Sequence, residues 1–348
     1  MEKFRGEKIL TVIVPSYNME SYLEKCLKSL IVPSDLLEKL EIIVVNDGST
    51  DHTSEIAWSF QENYNATFVV LDKKNGHYGS CINVALEIAK GKYVKIVDAD
   101  DSYQNSNFVK LLKCLCKIND AGINEIDLIV NDYVTVDEKG KVIKKYKFDL
   151  IKNEIAEVSK LEELYGIEMH AITYRTELLK KIYYKQTEGI LYTDQEWVYI
   201  PMMYIKRYMY LDFTVYLYLI GRNGQSMDPK VECKNLWMNC LVKKNIISNY
   251  VKLGKKDEHA KLLLKKLPNI YASYLIKYWK TANLNELKDL DDYLKKSDEN
   301  LYKEVGNSRL NRFIGLRYIM HWRMESKLLF LDRILEEMYW LMIKIIKR

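Results

Sequence analysis

Four short apolar runs, continuous rather than alternating, mark the first hundred or so residues: Ile9 to Val14, Leu40 to Val45, Thr67 to Leu71 and Tyr93 to Val97. A run without a polar face belongs to a strand buried on both sides, which is the condition of a parallel sheet covered by helices. The intervening segments have helical spacing. Tyr22, Leu23, Cys26, Leu27 and Leu30 follow Asn18, a candidate N-cap, and stop before Pro33. Ile56, Ala57 and Phe60 mark a second helix, and Gly79, Ile82, Ala85, Leu86 and Ala89 a third, with Lys90-Gly91 as a basic last turn and C′ glycine. This alternation predicts βαβ units and a mainly parallel, doubly covered α/β sheet. It also puts four polar loops on one sheet edge: Pro15 to Asn18, Asn46 to Asp51, Lys73 to Ser80 and Asp98 to Ser102. Ligands of open α/β sheets bind beyond the carboxyl ends of the strands, so that edge is where chemistry is expected.

From about residue 103 to 220 the pattern is mixed. A helix is expected over Phe108 to Ile118, a strand at Asp127 to Val130, a hairpin-like turn at Asp137 to Gly140 and a strand over Thr214 to Ile220. Beyond Gly221-Arg222-Asn223-Gly224 strand signals fade, and residues 230–348 read as helices.

Composition narrows the class. The chain has 348 residues, 48% hydrophobic and 29% charged, enough for a large core and two domains or one domain with an extension. Only 5 Pro and 14 Gly, without a repeat, argue against disordered, collagen-like or solenoid architectures. The net charge of +5 equals the surplus from Arg309 to Arg348, where nine basic residues face four acidic ones. An excess so small and confined argues against nucleic-acid binding. The six cysteines lack paired C-x-x-C spacing and read as reduced, buried thiols. No leader-like start and no apolar run near the roughly 20 residues of a membrane span is present, so a cytoplasmic protein is expected.

Asp98 and Asp100 leave a buried strand two residues apart and therefore on the same side. Two carboxylates aimed at one point repel unless a cation lies between them, and hard divalent cations suit oxygen ligands. A solvated acidic turn or a helix N-cap cluster is the plain alternative. Asp47, after the second strand, sits in Asn-Asp-Gly-Ser, which is either turn chemistry or an acceptor for an imide N–H such as that of uracil. Asn75-Gly76-His77-Tyr78-Gly79-Ser80 places two glycines and a hydroxyl at a helix start, where free N–H groups can approach a phosphate or sugar. It matches neither the dinucleotide nor the P-loop fingerprint. His77 reads as a loop-orienting residue.

Taken together, Thr11 to Asn18, Ile42 to Asp51, Asn83 to Val94 and Asp98 to Asp101 resemble the family 2 glycosyltransferases of the GT-A type, bacterial and non-processive. The resemblance covers about the first third of the chain, with weaker matches to about residue 228. It implies a GT-A-like fold with a Rossmann-like nucleotide-binding half (1–102), an acceptor half (103–228) and a helical C-terminal region (229–348). It implies a donor site in which Pro15, Ser16 and Tyr17 wall the nucleobase, Asp47 reads uracil, and Asn75, Gly79 and Ser80 approach the nucleotide sugar. Asp98 then lies near the ribose and diphosphate, and Asp100 coordinates Mn²⁺ or Mg²⁺. It places a catalytic base at Asp194 in Thr187 to Trp197, with Thr193 where the family usually has Glu, and Glu196 in reserve. On the residues alone, Asp194 is equally a helix N-cap.

The implied activity is an inverting transfer of one sugar from a nucleotide-diphosphate sugar, by resemblance a UDP sugar, to an acceptor hydroxyl in cell-surface glycan or polysaccharide synthesis. The absence of a Gln-x-x-Arg-Trp segment and of spanning helices favours single transfer over processive synthesis. The rivals are a non-catalytic nucleotide-sugar-binding or scaffold protein and a nucleotidyltransferase, which would want a glycine-rich basic loop where Pro15 to Asn18 stands. In the tail, Leu331, Leu335, Met338, Met342 and Ile345 form an apolar stripe. It packs on its own protein, on a dimer mate, or on anionic membrane at the inner face of the cell membrane with Trp322 and Trp340 at the headgroups. The last placement suits a glycan or lipid-linked acceptor.

Overall fold

The computed structural model describes residues 7–123, 125–222, 228–310 and 317–325, together with 334, 337 and 338. The chain divides into two compact units, Met1–Gln225 and Ser226–Arg348.

The first unit is built on a ten-stranded sheet. Its strands are β1 (Leu10–Ser16), β2 (Leu40–Asn46), β3 (Phe68–Asp72), β4 (Tyr93–Ile96), β5 (Ser102–Tyr103), β6 (Leu128–Val136), β7 (Val142–Tyr146), β8 (Ile155–Glu157), β9 (Ile172–Arg175) and β10 (Arg207–Leu219). The order is β3-β2-β1-β4-β9-β6-β10-β5, with β7 added beside β6 and β8 beside β10. The first four strands are parallel, as their continuous apolar runs require, and every residue of β1, β2 and β4 is buried. Ser16 pairs with Asn46 and Asn46 with Asp72, so three strands end level with one another. β9 enters antiparallel to both β4 and β6, while β6 and β10 run parallel.

The helices between these strands are α1 (Leu23–Ser29), α2 (Ser34–Leu37), α3 (Thr53–Asn63), α4 (His77–Ile88), α5 (Asn105–Asp120), α6 (Thr176–Lys181) and α7 (Asp194–Met202). Two terminal assignments change. Asn18 does not cap α1: it has φ 53°, and its side-chain oxygen accepts from the Thr50 N–H at 2.9 Å, tying the first loop to the second. Gly91 is not a left-handed C′ residue, because α4 ends at Ile88 with Ala89 extended at its cap. Glycine is required there by crowding, since a Cβ would lie 2.3 Å from the Thr11 nitrogen. The turn at Asp137 to Gly140 joins β6 and β7 as a hairpin, with the Gly140 N–H on the Asp137 carbonyl at 2.8 Å. Lys95 of β4 is fully buried in this core: it donates to the carbonyls of His170 and Ile172 at 3.0 and 3.1 Å, and burial lowers its pKa to about 7.

The second unit is helical: α8 (Pro229–Lys234), α9 (Leu236–Lys252), α10 (Asp257–Ala272), α11 (Leu284–Ser297), α12 (Glu299–Asn307) and α13 (Tyr318–Arg323), with a π-helical turn at Ser273–Lys277. Its core holds Leu262, Leu263, Tyr271, Tyr274, Leu287 and Leu290. Trp322 belongs to that core rather than to a membrane face: it is buried and meets Tyr271 edge-on at 6.1 Å. The neighbouring Arg323 is likewise spent internally, with Nε 3.0 Å from both carboxylate oxygens of Asp291. Most of the expected apolar stripe, namely Leu331, Leu335, Met342 and Ile345, and Trp340 with it, lies outside the described residues. No helix among the described residues is long and apolar enough to cross a membrane.

Candidate functional site

The order β3-β2-β1-β4 reverses direction at β1 and β4, the switch point beyond whose strand ends ligands of such sheets bind. Pro15 and Ser16 end β1 beside it, both buried, while Tyr17 stands 48% exposed at the rim. The Ser16 hydroxyl donates back to the Val14 carbonyl at 3.3 Å. Asp98, Asp100 and Asp101 follow β4 on the other side.

These three aspartates each bring a carboxylate oxygen within 4.8 Å of the others. Burial, then the charges of Asp100 and Asp194, push the Asp98 carboxyl up from its ordinary value to about 7, against the pull of Tyr78 and Arg222. Its Oδ1 is buried without a hydrogen-bond partner. The three members differ in use. Asp101 accepts from the Tyr216 hydroxyl at 2.6 Å and the Leu219 N–H at 2.7 Å, which fastens the acidic loop to β10. It is thus a tether between elements. Asp100 faces Arg222, whose Nε lies 2.5 Å from Oδ2, with the guanidinium also over the Tyr22 ring at 5.5 Å.

Asp194 arrives from far along the chain. It is the first residue of α7; the N-cap position falls to Thr193, so the capping alternative does not apply to Asp194. Its charge acts on Asp98 and, together with those of Asp101, Asp98 and Asp100, on the Tyr218 phenol, whose pKa is held high first by burial and then by these four charges. The charges of all four carboxylates therefore reach one side chain. Glu196 does not share that position. It is fully buried and accepts from both the Thr187 N–H at 2.6 Å and the Thr187 hydroxyl at 2.7 Å, so it clamps the loop before α7.

Asp47 is buried, and its Oδ1 accepts from Lys73 Nζ at 2.6 Å and the Gly76 N–H at 2.9 Å. The second loop is thereby locked to the third. Asn75 is exposed next to Gly48. Gly79 and Ser80 are both buried in the first turn of α4. A Cβ on Gly79 would lie 2.1 Å from the Thr187 carbonyl oxygen, so this glycine admits the 186–189 segment that leads to Asp194. The Ser80 hydroxyl is buried, donating to the His77 carbonyl and accepting from Lys73 at 2.8 Å each. His77, at φ 62°, turns the chain into α4. Arg222 is the site residue that sequence reasoning missed; the one signal was a lone arginine just past a strand end.

The donor set fits a hard divalent cation. It consists of carboxylate oxygens alone, one of them an orphaned buried atom, crowded by like charge. Asp98 joins Asp100 as a ligand candidate on this geometry.

Residues 11–182 match the family model described as Glycosyl transferase family 2. The chain carries a family 2 glycosyltransferase domain. This domain is 35% identical over 105 residues to an uncharacterized glycosyltransferase of Mycoplasma pneumoniae, covering 30% of this chain and 35% of that protein. The minor teichoic acid biosynthesis protein GgaB of Bacillus subtilis is 26% identical over 301 residues, 84% of this chain and 31% of that protein. The chain thus spans about a third of the length of these curated relatives. Among solved structures, S. aureus TarS 1-349 in complex with UDP-GlcNAc superposes with a TM-score of 0.61 at 22% identity, covering 91% of this chain and 92% of that one. At that identity the likeness is one of fold, and the fold is GT-A.

Proposed function

We propose that the protein transfers one sugar, with inversion, from a UDP-linked donor to a hydroxyl of a cell-surface glycan or glycopolymer. The observation that carries this reading is the cluster of Asp98, Asp100 and Asp101 after β4, with Asp194 near enough for its charge to act on Asp98. In this reading Pro15 and Tyr17 flank the nucleobase, and Asp47, held by Lys73, meets its imide edge. Asp194 takes the proton from the acceptor hydroxyl as its oxygen bonds to the anomeric carbon and the bond to the diphosphate breaks on the opposite face. Arg222 is placed to exchange Asp100 for the diphosphate oxygens, which a guanidinium fits well. Asp98 and Asp100 would hold Mn²⁺ or Mg²⁺, which when bound neutralises charge on the departing diphosphate. The complex of TarS with UDP-GlcNAc supports a UDP sugar as donor, and the name of GgaB supports an acceptor in the teichoic acid class.

The purified protein should hydrolyse or transfer from a UDP sugar in a panel of nucleotide sugars, with turnover requiring Mn²⁺ or Mg²⁺. Asp100→Ala should abolish that turnover while the fold persists. Full activity in that variant would remove the cation site from the mechanism, and donor binding without turnover under any condition would favour the scaffold reading.

A further inference from the structure

Residues 139–152 carry six lysines, at 139, 141, 144, 145, 147 and 152, against one acid, Asp149. The segment forms β7 and then crosses beside the sheet, and it is well anchored. Tyr146 stacks on Tyr133 at 4.4 Å with the rings 5° from parallel, and Phe148 meets Tyr210 edge-on at 6.0 Å. Lys152 pairs with Asp212 at 3.7 Å; among the described residues the other five lysines form no ion pair with a carboxylate. Val142, Ile143 and Ile151 stand among them at 44%, 55% and 56% exposure. The register slips between Val142 and Lys144, which leaves Ile143 outside the pairing with β6.

Lysines and a bulge on an edge strand also guard against edge-to-edge pairing. That protection explains the charges but is weakened by three bare branched apolar side chains. A soluble polyanion would use the lysines and gain nothing from the isoleucines. A surface of anionic headgroups over hydrocarbon uses both, since lysines sit at the headgroups and short apolar side chains enter the boundary beneath. We propose that the 139–152 segment docks the protein on an anionic lipid surface.

The test is flotation of the full chain with vesicles of phosphatidylcholine alone or mixed with phosphatidylglycerol. Binding is expected only with phosphatidylglycerol, falling as salt rises. Changing Lys141, Lys145 and Lys147 together to Gln should lower partitioning on the order of 100-fold. Ile143→Ser with Ile151→Ser should lower it about tenfold while leaving the salt dependence. All five side chains are exposed, so thermal melting should be unchanged and folding is controlled. Three results would overturn the proposal: no vesicle binding by the unaltered protein, binding to soluble dextran sulfate but not vesicles, or lysine variants that bind undiminished while changing Arg333, Lys344 and Lys347 to Gln abolishes binding.

Discussion

Arg222 Nε lies 2.5 Å from Asp100 Oδ2, with both side chains largely out of solvent. The guanidinium occupies the carboxylate that the acidic loop otherwise offers to a cation. Replacing Arg222 with Met removes this competitor, and the nucleotide-free protein should then bind Mn²⁺ more tightly, by on the order of tenfold. On the proposed mechanism the same variant loses transfer, because nothing takes its place at the diphosphate. Calorimetric Mn²⁺ titration and turnover assays read the two effects separately. Weaker Mn²⁺ binding in Arg222→Met would refute the competition.

The Asp98 carboxyl sets a pH dependence. Its value in the fold is raised to about 7, whereas the unfolded chain titrates near its ordinary value of 3.8. Below that ordinary value both states hold the proton. As pH rises toward 7 the unfolded chain releases it while the fold retains it, so this group's contribution to stability declines over that window and is lost above about 7. Asp98→Asn should therefore melt higher than the unaltered metal-free protein at pH 8, with a smaller gain at pH 5. Mn²⁺ affinity of the unaltered protein should climb with pH through about 7, since the cation must displace that proton. Parallel pH profiles of melting for the two proteins would contradict the assignment.

On the proposed mechanism Asp194 is the base and Glu196 the clamp. Asp194→Asn should reduce kcat by about 10²- to 10⁴-fold with donor affinity retained, the usual loss when a general base is removed. Glu196→Gln weakens the two bonds that hold Thr187 and should cost about 1–3 kcal/mol of stability. Kinetics at one temperature and chemical denaturation distinguish a base from a clamp. If Glu196→Gln loses turnover as completely as Asp194→Asn at unchanged stability, the roles are reversed.

Gly79→Ala introduces a methyl group onto the Thr187 carbonyl oxygen, a backbone atom with no rotamer to yield. Overpacking of this kind should cost about 1–3 kcal/mol, and it displaces the segment that carries Asp194. Stability and turnover should therefore fall together. Gly122→Ala is a control of another kind, since no atom lies near its added Cβ and only its positive φ resists the change.

The four parallel strands and their helices were readable because burial on both faces leaves an uninterrupted apolar run. β6 was seen only in its first third, since Asn131, Asp132 and Thr135 interrupt its apolar pattern although the whole strand is buried. β10 begins seven residues before its expected start at Thr214, across register shifts that break the alternation. β9 received no assignment, and its four residues are placed by pairing with β4 and β6 rather than by a local signal. At the site, Asp98, Asp100 and Asp47 follow apolar strands and could be found from position alone. The Arg222–Asp100 pair spans 122 positions, and the clamp of Glu196 on Thr187 looks in sequence like a spare acid.

Tyr216 joins the two ends of this sequence distance, because its hydroxyl donates to Asp101 while accepting from the Asp98 N–H at 3.1 Å. A hybrid enzyme that grafts residues 103–222 of one relative onto the amino-terminal strands of another would therefore transplant the fastening of the acidic loop along with the new specificity. Compatible parents are those that present a tyrosine at this place on β10 and an aspartate to receive it; other graftings should fold yet leave the loop untethered.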